Sequence, residues 1–445
     1  MVSQPAEFGP GFHWGVSTSA YQIEGAATEG GRGPSSWDTF TAEPGRVLDG
    51  STGAIACDHY HRYAEDVALL RELGVDTYRF SFSWSRIQPE GSGPVNGEGL
   101  AFYDRLIDEL LAAGIRPAPT LFHWDTPQPL EDAGGWLDRD ITERFADYAT
   151  LLGRRFADRV PQWITINEPM VITLLGYAVG AHAPGRQLGF EALPVAHHQL
   201  LAHGRAVQAL RAAGASNIGI ASNHAPTWPA SDSAEDVAAA ELYDTLINWL
   251  FADPVLLGRY PNEGLAAAMP GPVEDDLAVI STPLDFFGLN HYSPTSVGAP
   301  TGNPDTAATD GLPLPPGLPF EPRELTGYPK TDFGWPIVPA AFTEILHTLR
   351  QRYGDRLPPI YITENGCAIN DQPIDDERRI AYLDTYLRAL RQAMDDGIDV
   401  RGYFQWSLLD NSNGRPGTRS ASGSSTSTTR PSGAPRRRRT GGSGT

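Results

Sequence analysis

Two glutamates far apart in the chain each close a short apolar run: Glu168 in Trp-Ile-Thr-Ile-Asn-Glu-Pro (163–169) and Glu364 in Ile-Tyr-Ile-Thr-Glu-Asn-Gly (360–366). Two carboxyl groups brought to one mouth can act as nucleophile and proton donor on a single bond, which is the chemistry of glycoside cleavage. Runs such as Ile164–Ile166 and Ile360–Ile362 read as strands buried on both faces, so a charge at the end of either must emerge at a sheet's rim. In barrel enzymes that rim carries the reactive groups.

The elements that would position these groups are repeated βα units. Short apolar runs alternate with longer helical patterns along the 445 residues, and eight candidate strands emerge: Phe12–Ser17, Thr77–Ser83, Arg116–Phe122, Gln162–Asn167, Asn217–Ser222, Leu284–Leu289, Pro359–Thr363 and Val400–Ser407. Helix-like segments such as Ala64–Leu73 and Phe102–Ala113 lie between them. This order predicts an α/β fold with a single closed (β/α)8 barrel, a TIM barrel; an open doubly wound sheet is the alternative. With 40% hydrophobic residues the chain can bury one large core. The Pro/Gly-rich stretch 298–334, after the sixth strand, reads as an active-site loop rather than a linker.

The formal charge is −20 and the pI about 4.9, which argues against nucleic acid as a partner and favours a neutral small-molecule substrate. The N-terminus has no basic region leading into an apolar stretch, and no window approaches eighteen uninterrupted apolar residues, so a soluble cytoplasmic protein without membrane partner is expected. Cys57 and Cys367 cannot make a zinc cluster; reduced thiols are the default, with one bridge left open.

The motifs resemble the β-glucosidases of glycoside hydrolase family one from Phe12 to about Asn411. They are Phe-His-Trp-Gly-Val-Ser-Thr-Ser-Ala-Tyr-Gln-Ile-Glu-Gly (12–25), Tyr-Arg-Phe-Ser-Phe-Ser-Trp-Ser-Arg-Ile (78–87), Leu-Phe-His-Trp-Asp-Thr-Pro (121–127), Thr-Ile-Asn-Glu-Pro (165–169), Asn-His-Tyr-Ser-Pro (290–294), Ile-Thr-Glu-Asn-Gly (362–366) and Trp-Ser-Leu-Leu-Asp-Asn (406–411). The resemblance implies a retaining mechanism, with Glu364 attacking the anomeric carbon while Glu168 protonates the leaving oxygen and later activates water. Retention calls for carboxyls roughly 5 to 5.5 Å apart. It also implies that Arg79 and Tyr292 flank the nucleophile and favour its charged form, and that the negative Glu364 keeps Glu168 protonated. The substrate so implied is a terminal β-D-glucosyl unit of an aryl glucoside or a cello-oligosaccharide. A 6-phospho-β-glycoside is an alternative substrate.

Gln22, His123, Asn167 and Tyr292 match positions that in the family hydrogen-bond the sugar or orient the glutamates, and Asn290 is a further candidate. Trp124, Trp335 and Trp406 fall at expected rims, where aromatic faces can stack on a pyranose. Trp14, Trp37 and Trp84 are assigned to the core. His59, His61, His197 and His198 lack a third nearby ligand, so no metal and no cofactor are expected.

The chain departs from the family at Ser412, where the family continues with Phe-Glu-Trp and a last barrel helix. From there to Thr445 only Ser, Asn, Gly, Arg, Pro, Thr and Ala occur, so residues 1–411 are expected to form the barrel, without its usual last helix, and 412–445 a disordered tail. Setting aside the tail's seven arginines leaves 27 basic against 54 acidic residues. A single-base deletion after the Asn411 codon would account for the change. Ser412-Asn413-Gly414 written TCG-AAT-GGG becomes TTC-GAA-TGG, Phe-Glu-Trp, when one T is restored. Lys330 is the one lysine beside 33 arginines, as in a GC-rich gene. On this reading Arg436–Arg439 has no targeting purpose; a β-glucosidase remains the first expectation, and a catalytically impaired sugar-binding barrel, owing to the altered C-terminus, is the alternative.

Overall fold

The computed structural model describes residues 8–47, 50–302, 317–369 and 376–409, and the backbone of 411–412 and 421–422. Eight parallel strands form a closed barrel: β1 (His13–Ser17), β2 (Thr77–Ser81), β3 (Arg116–Phe122), β4 (Trp163–Asn167), β5 (Ile218–Asn223), β6 (Phe286–Asn290), β7 (Ile360–Asn365) and β8 (Val400–Trp406). Each pairs with its sequence neighbours, and β1 closes against β8 through His13↔Gly402 to Ser17↔Trp406. All eight expected strands are present, with ends moved by up to two residues.

The strands form because β-branched and aromatic residues are buried on both faces. All of β2, β4, β6 and β7 is buried. Ile164, Ala221, Phe286, Tyr361 and Phe404, from five strands, meet in one cluster. Around them run α1 (His59–Leu73), α2 (Gly97–Ala112), α3 (Ile141–Phe156), α4 (Leu193–Ala212), α5 (Val273–Ile280), α6 (Pro339–Tyr353) and α7 (Glu377–Asp395). Each presents one apolar side to the barrel, as α3 does with Ile141, Phe145, Tyr148, Leu152 and Phe156. Asn96 caps α2 by accepting from Glu98 N.

Part of the stretch after β6 is ordered as a small sheet: Thr295–Gly298 pairs with Thr227–Pro229 and with Glu321–Arg323. Residues 303–316 of the expected loop lie outside the described residues. Of the three tryptophans assigned to the core, Trp37 and Trp84 are buried. Trp14 is only half-buried, because β1 begins at the barrel's amino-terminal end and its indole packs there with Phe8, Phe12 and Tyr403. Cys57 and Cys367 are free thiols. No helix among the described residues is long and apolar enough to cross a membrane. Asn411–Ser412 pairs antiparallel with Ala421–Ser422; the rest of the expected tail lies outside the described residues.

Candidate active site

The two glutamates reach the carboxyl-terminal mouth of the barrel by different local devices. Along β7, Ile360 and Ile362 pack among residues of α6 and α7 while Tyr361 joins the interior cluster. Strict alternation would send Glu364 outward with Ile362. Instead, register shifts at Ile362–Glu364 against β6 and at Ile362–Asn365 against β8 form a bulge, and Glu364 turns into the mouth. Gly366 lets the strand pass beneath its neighbour, since a Cβ there would lie 2.0 Å from the Trp406 carbonyl. Glu168 stands one residue past β4 in the left-handed region at φ 47°, followed by Pro169 and a π-helical turn, Ile172–Ala178. Trp124, one residue beyond His123 at the end of β3, is also left-handed at φ 76°. Two such non-glycine residues at one rim each cost about 1–3 kcal/mol, a pattern associated with functional sites.

Glu364 is gripped on both oxygens. Arg79 Nη1 from β2 donates to Oε1 at 2.7 Å, and the Tyr292 hydroxyl, two residues past β6, donates to Oε2 at 2.6 Å. Arg79 is fully buried with its other donors engaged: Nη1 also meets the Thr363 carbonyl at 2.9 Å, Nη2 meets Asn167 Oδ1 at 2.6 Å and Nε meets Thr120 Oγ1 at 3.3 Å. Ser17 Oγ holds the same Thr363 carbonyl at 2.9 Å.

Glu168 has a different environment. Asn290 Nδ2 donates to its Oε1 at 2.8 Å and to Asn167 Oδ1 at 3.0 Å. Asn290 is itself the register partner of Glu364 and accepts from Thr363 Oγ1 at 2.6 Å, so one amide links both carboxyls. Glu168 is 5% and Glu364 3% exposed, low enough that their environment decides their protonation.

Burial, then the charge on Glu364, push Glu168 up to about 8, against the weaker pull of Asn290 and Arg79. Burial also raises Glu364, with Arg79 and Tyr292 working to lower it. Both partners favour the charged form, as the resemblance implied, and burial acts against them. The order still favours a proton on Glu168, which has no hydrogen bond from the guanidinium. Tyr292 is raised well above the usual phenol range by burial and both carboxylates, so it remains a donor. His123 is lowered well below the usual imidazole range by burial and Arg79, so it remains neutral.

Most of the other expected residues connect to this pair through contacts with one another. Asn167 connects Arg79 and Asn290 and, through Nδ2, meets His123 Nε2 at 3.2 Å, leaving the buried His123 Nδ1 without a protein partner. His123 stacks on Trp406 at 5.5 Å, and Trp124 Nε1 donates to the Asn167 carbonyl at 3.1 Å. Trp335 lies against Tyr292 at 5.3 Å. Gln22 lies on the turn after β1, with its amide oxygen accepting from Ser19. Nothing in spacing marked Thr120, Ser17 or Thr363, whose roles depend on which strands become neighbours. The histidines set aside as metal ligands have protein partners: His59 with Asp66, His61 with Asp58 and Glu29, His197 with Tyr260 and Asp276, and His198 with the Trp136 carbonyl. No three His, Cys, Asp or Glu among the described residues form a metal-binding group.

Comparison with known proteins identifies the family and agrees with the barrel fold. The sequence profile of glycosyl hydrolase family 1 matches residues 4–424, thirteen residues beyond Asn411. Beta-glucosidase A of Acetivibrio thermocellus is 44% identical over 416 residues, covering 90% of this chain and 89% of that protein. Thermostable beta-glucosidase B of Thermobispora bispora is 45% identical, covering 91% and 83%. Among solved structures, the family 1 β-glucosidase of Thermotoga maritima in complex with isofagomine lactam superposes with a TM-score of 0.86 at 40% identity, covering 94% of this chain and 93% of that one.

Proposed function

The chain belongs to glycosyl hydrolase family 1 and is a glycoside hydrolase acting on O-glycosyl bonds, and from that premise we propose that it is a retaining β-glucosidase that removes terminal β-D-glucosyl units. The observation that carries the reading is the unequal treatment of two buried carboxyls. Glu364 receives a guanidinium and a phenol, while Glu168 receives one amide and the repulsion of its neighbour's charge.

In the first step a Glu364 oxygen bonds to the anomeric carbon as that carbon's bond to the leaving oxygen breaks, and the Glu168 proton passes to the leaving oxygen. Forming the glycosyl ester removes the charge on Glu364. The repulsion holding a proton on Glu168 then disappears, and Glu168 as a carboxylate can take a proton from water. The water oxygen attacks the anomeric carbon, and Glu364 departs as a carboxylate. The unpartnered His123 Nδ1 and the half-buried Gln22 amide suit the hydroxyls of a neutral hexose, which need both donors and acceptors. Trp124, Trp335 and Trp406 supply apolar faces, Asn290 holds Glu168, and Asn167 accepts from both Arg79 and Asn290. Cello-oligosaccharides and aryl glucosides fit this reading as substrates.

The decisive experiment follows the anomeric proton by NMR during hydrolysis of an aryl β-D-glucoside. β-Glucose appearing before mutarotation supports the reading; α-glucose as first product overturns it. Comparing the glucoside with its 6-phosphate tests the sugar preference.

The composition of residues 412–445 supports a second reading, that of a catalytically impaired sugar-binding barrel. Here the frame change after Asn411 has replaced the residues expected to grip the sugar's outer hydroxyls. Calorimetric glucose binding without turnover in the chain as written would favour it.

A further inference from the structure

Tyr292 lies beyond the last residue of β6, so the barrel's ladder ends before the phenol that touches Glu364. Two contacts fix the backbone there. His291 N donates to the Glu364 carbonyl at 3.0 Å, and the Tyr386 hydroxyl of α7 donates to the Tyr292 carbonyl at 3.0 Å. The same hydroxyl accepts from Val338 N at 3.2 Å, three residues after Trp335, whose ring packs on Tyr292. One turn earlier on α7, Tyr382 stacks on Tyr386 at 4.2 Å and accepts from Asn365 Nδ2 at 3.0 Å. Asn365 follows Glu364 directly and is also held by Tyr403 at 2.7 Å and the His291 carbonyl at 2.8 Å. Tyr386 is fully buried and Tyr382 is 3% exposed.

We infer that Tyr386 is a positioning residue for the nucleophile: its hydroxyl aims the Tyr292 phenol at Glu364 and ties that phenol to the segment bearing Trp335, with Tyr382 bracing the backbone behind Glu364. This rests on the reading of Glu364 as nucleophile. A space-filling core tyrosine needs its ring and one partner for its oxygen. Tyr386 uses both donor and acceptor, one on the stretch that carries Tyr292 and one on the stretch that carries Trp335, and neither stretch belongs to a barrel strand. A phenol that loses its aim donates less well to the carboxylate, and the charged form of Glu364 becomes less favoured. The other groups facing Glu364 are Arg79 from β2, Glu168 after β4 and Asn290 from β6; those facing Tyr386 are Tyr382 and Cys367.

The test compares Tyr386→Phe with Tyr353→Phe. Tyr353 is 4% exposed, bonds to Asp253 at 2.8 Å and is the last residue of α6, at the other end of that helix from Val338. Tyr386→Phe retains the ring and is expected to lower kcat/KM on an aryl β-glucoside about three- to tenfold, as loss of one buried hydrogen bond allows. It should also move the acidic limb of the pH profile upward by about half a unit, while Tyr353→Phe lowers Tm and leaves that limb in place. An unmoved limb in folded Tyr386→Phe overturns the inference. Trapping the enzyme with 2-deoxy-2-fluoro-β-D-glucosyl fluoride and mapping the labelled peptide separates the two layers. A label on Glu364 with an unmoved limb removes the positioning role alone. A label elsewhere, or none on folded protein, removes the nucleophile reading and this inference with it.

Discussion

Arg79 and Glu364 meet at 2.7 Å across 285 residues of chain, both nearly or fully excluded from solvent. A guanidinium bonded to Glu364, Asn167, Thr120 and the Thr363 carbonyl and a carboxylate at the end of a bulged strand define the charged side of the site. Glu168 lies on the other side.

Removing the nucleophile should abolish turnover. Glu364→Gly is expected to reduce kcat on an aryl β-glucoside by at least about 10⁴-fold, as deletion of a covalent nucleophile does elsewhere. Azide should restore reaction in the space left by the side chain and give the α-glycosyl azide, detectable by NMR. Normal turnover in the variant would refute the assignment.

Glu168→Gln should show both the role of the proton and its energetic consequence. The alkaline limb near pH 8 should disappear on substrates with very good leaving groups, and poor leaving groups should react far more slowly. The sign for stability follows from the raised pKa. Between about 4.5 and about 8 the folded state binds more protons than the unfolded state, so this group's contribution falls as pH rises through that window. Glu168→Gln should therefore melt higher than wild type at pH 8, by about 1–3 °C, with the gap closing near pH 4. Calorimetry at the two pH values checks it.

Arg79→Met leaves Glu364 buried without its strongest partner, and Thr363, Asn167 and Thr120 without a shared donor. Loss of one half of a buried pair costs about 3–5 kcal/mol. The acidic limb should also move to higher pH, because the contribution opposing burial is gone. Denaturant titration and a pH–rate profile measure the two effects separately.

Restoring one base after codon 411 is expected to raise both stability and turnover. An outer helix covering about 400–600 Å² of apolar surface is worth on the order of 10–15 kcal/mol by area. An increase in Tm of at least about 5 °C is therefore expected, with a lower KM for glucosides. A restored chain that melts no higher than the present one would argue against the frame change.

Much of the fold was legible because a parallel barrel strand is a local pattern. Runs such as Trp163–Asn167 and Phe286–Asn290 carry their burial in their composition, so all eight strands could be located before any contact was known. The ends were less legible. Asn290 and Glu364 fell just outside the expected strands, yet they pair on one rung, and that rung makes Asn290 the link between the carboxyls. Trp14 packs against the core as expected but is only half-buried, because hydrophobicity does not reveal which end of a barrel a residue occupies.

By itself the sequence determined the chemistry on offer: two carboxyls at strand ends, a guanidinium in Tyr-Arg-Phe, a phenol in Asn-His-Tyr, and the motifs that assign the chain to its family. Tertiary structure alone decided that a bulge turns Glu364 inward against the alternation of its own strand, and that burial outweighs Arg79 and Tyr292 in setting its proton affinity. It also placed Tyr386 behind Tyr292. The division has a physical cause: strand formation depends on neighbours along the chain, whereas register, desolvation and the meeting of charges 285 residues apart exist only once the barrel has closed.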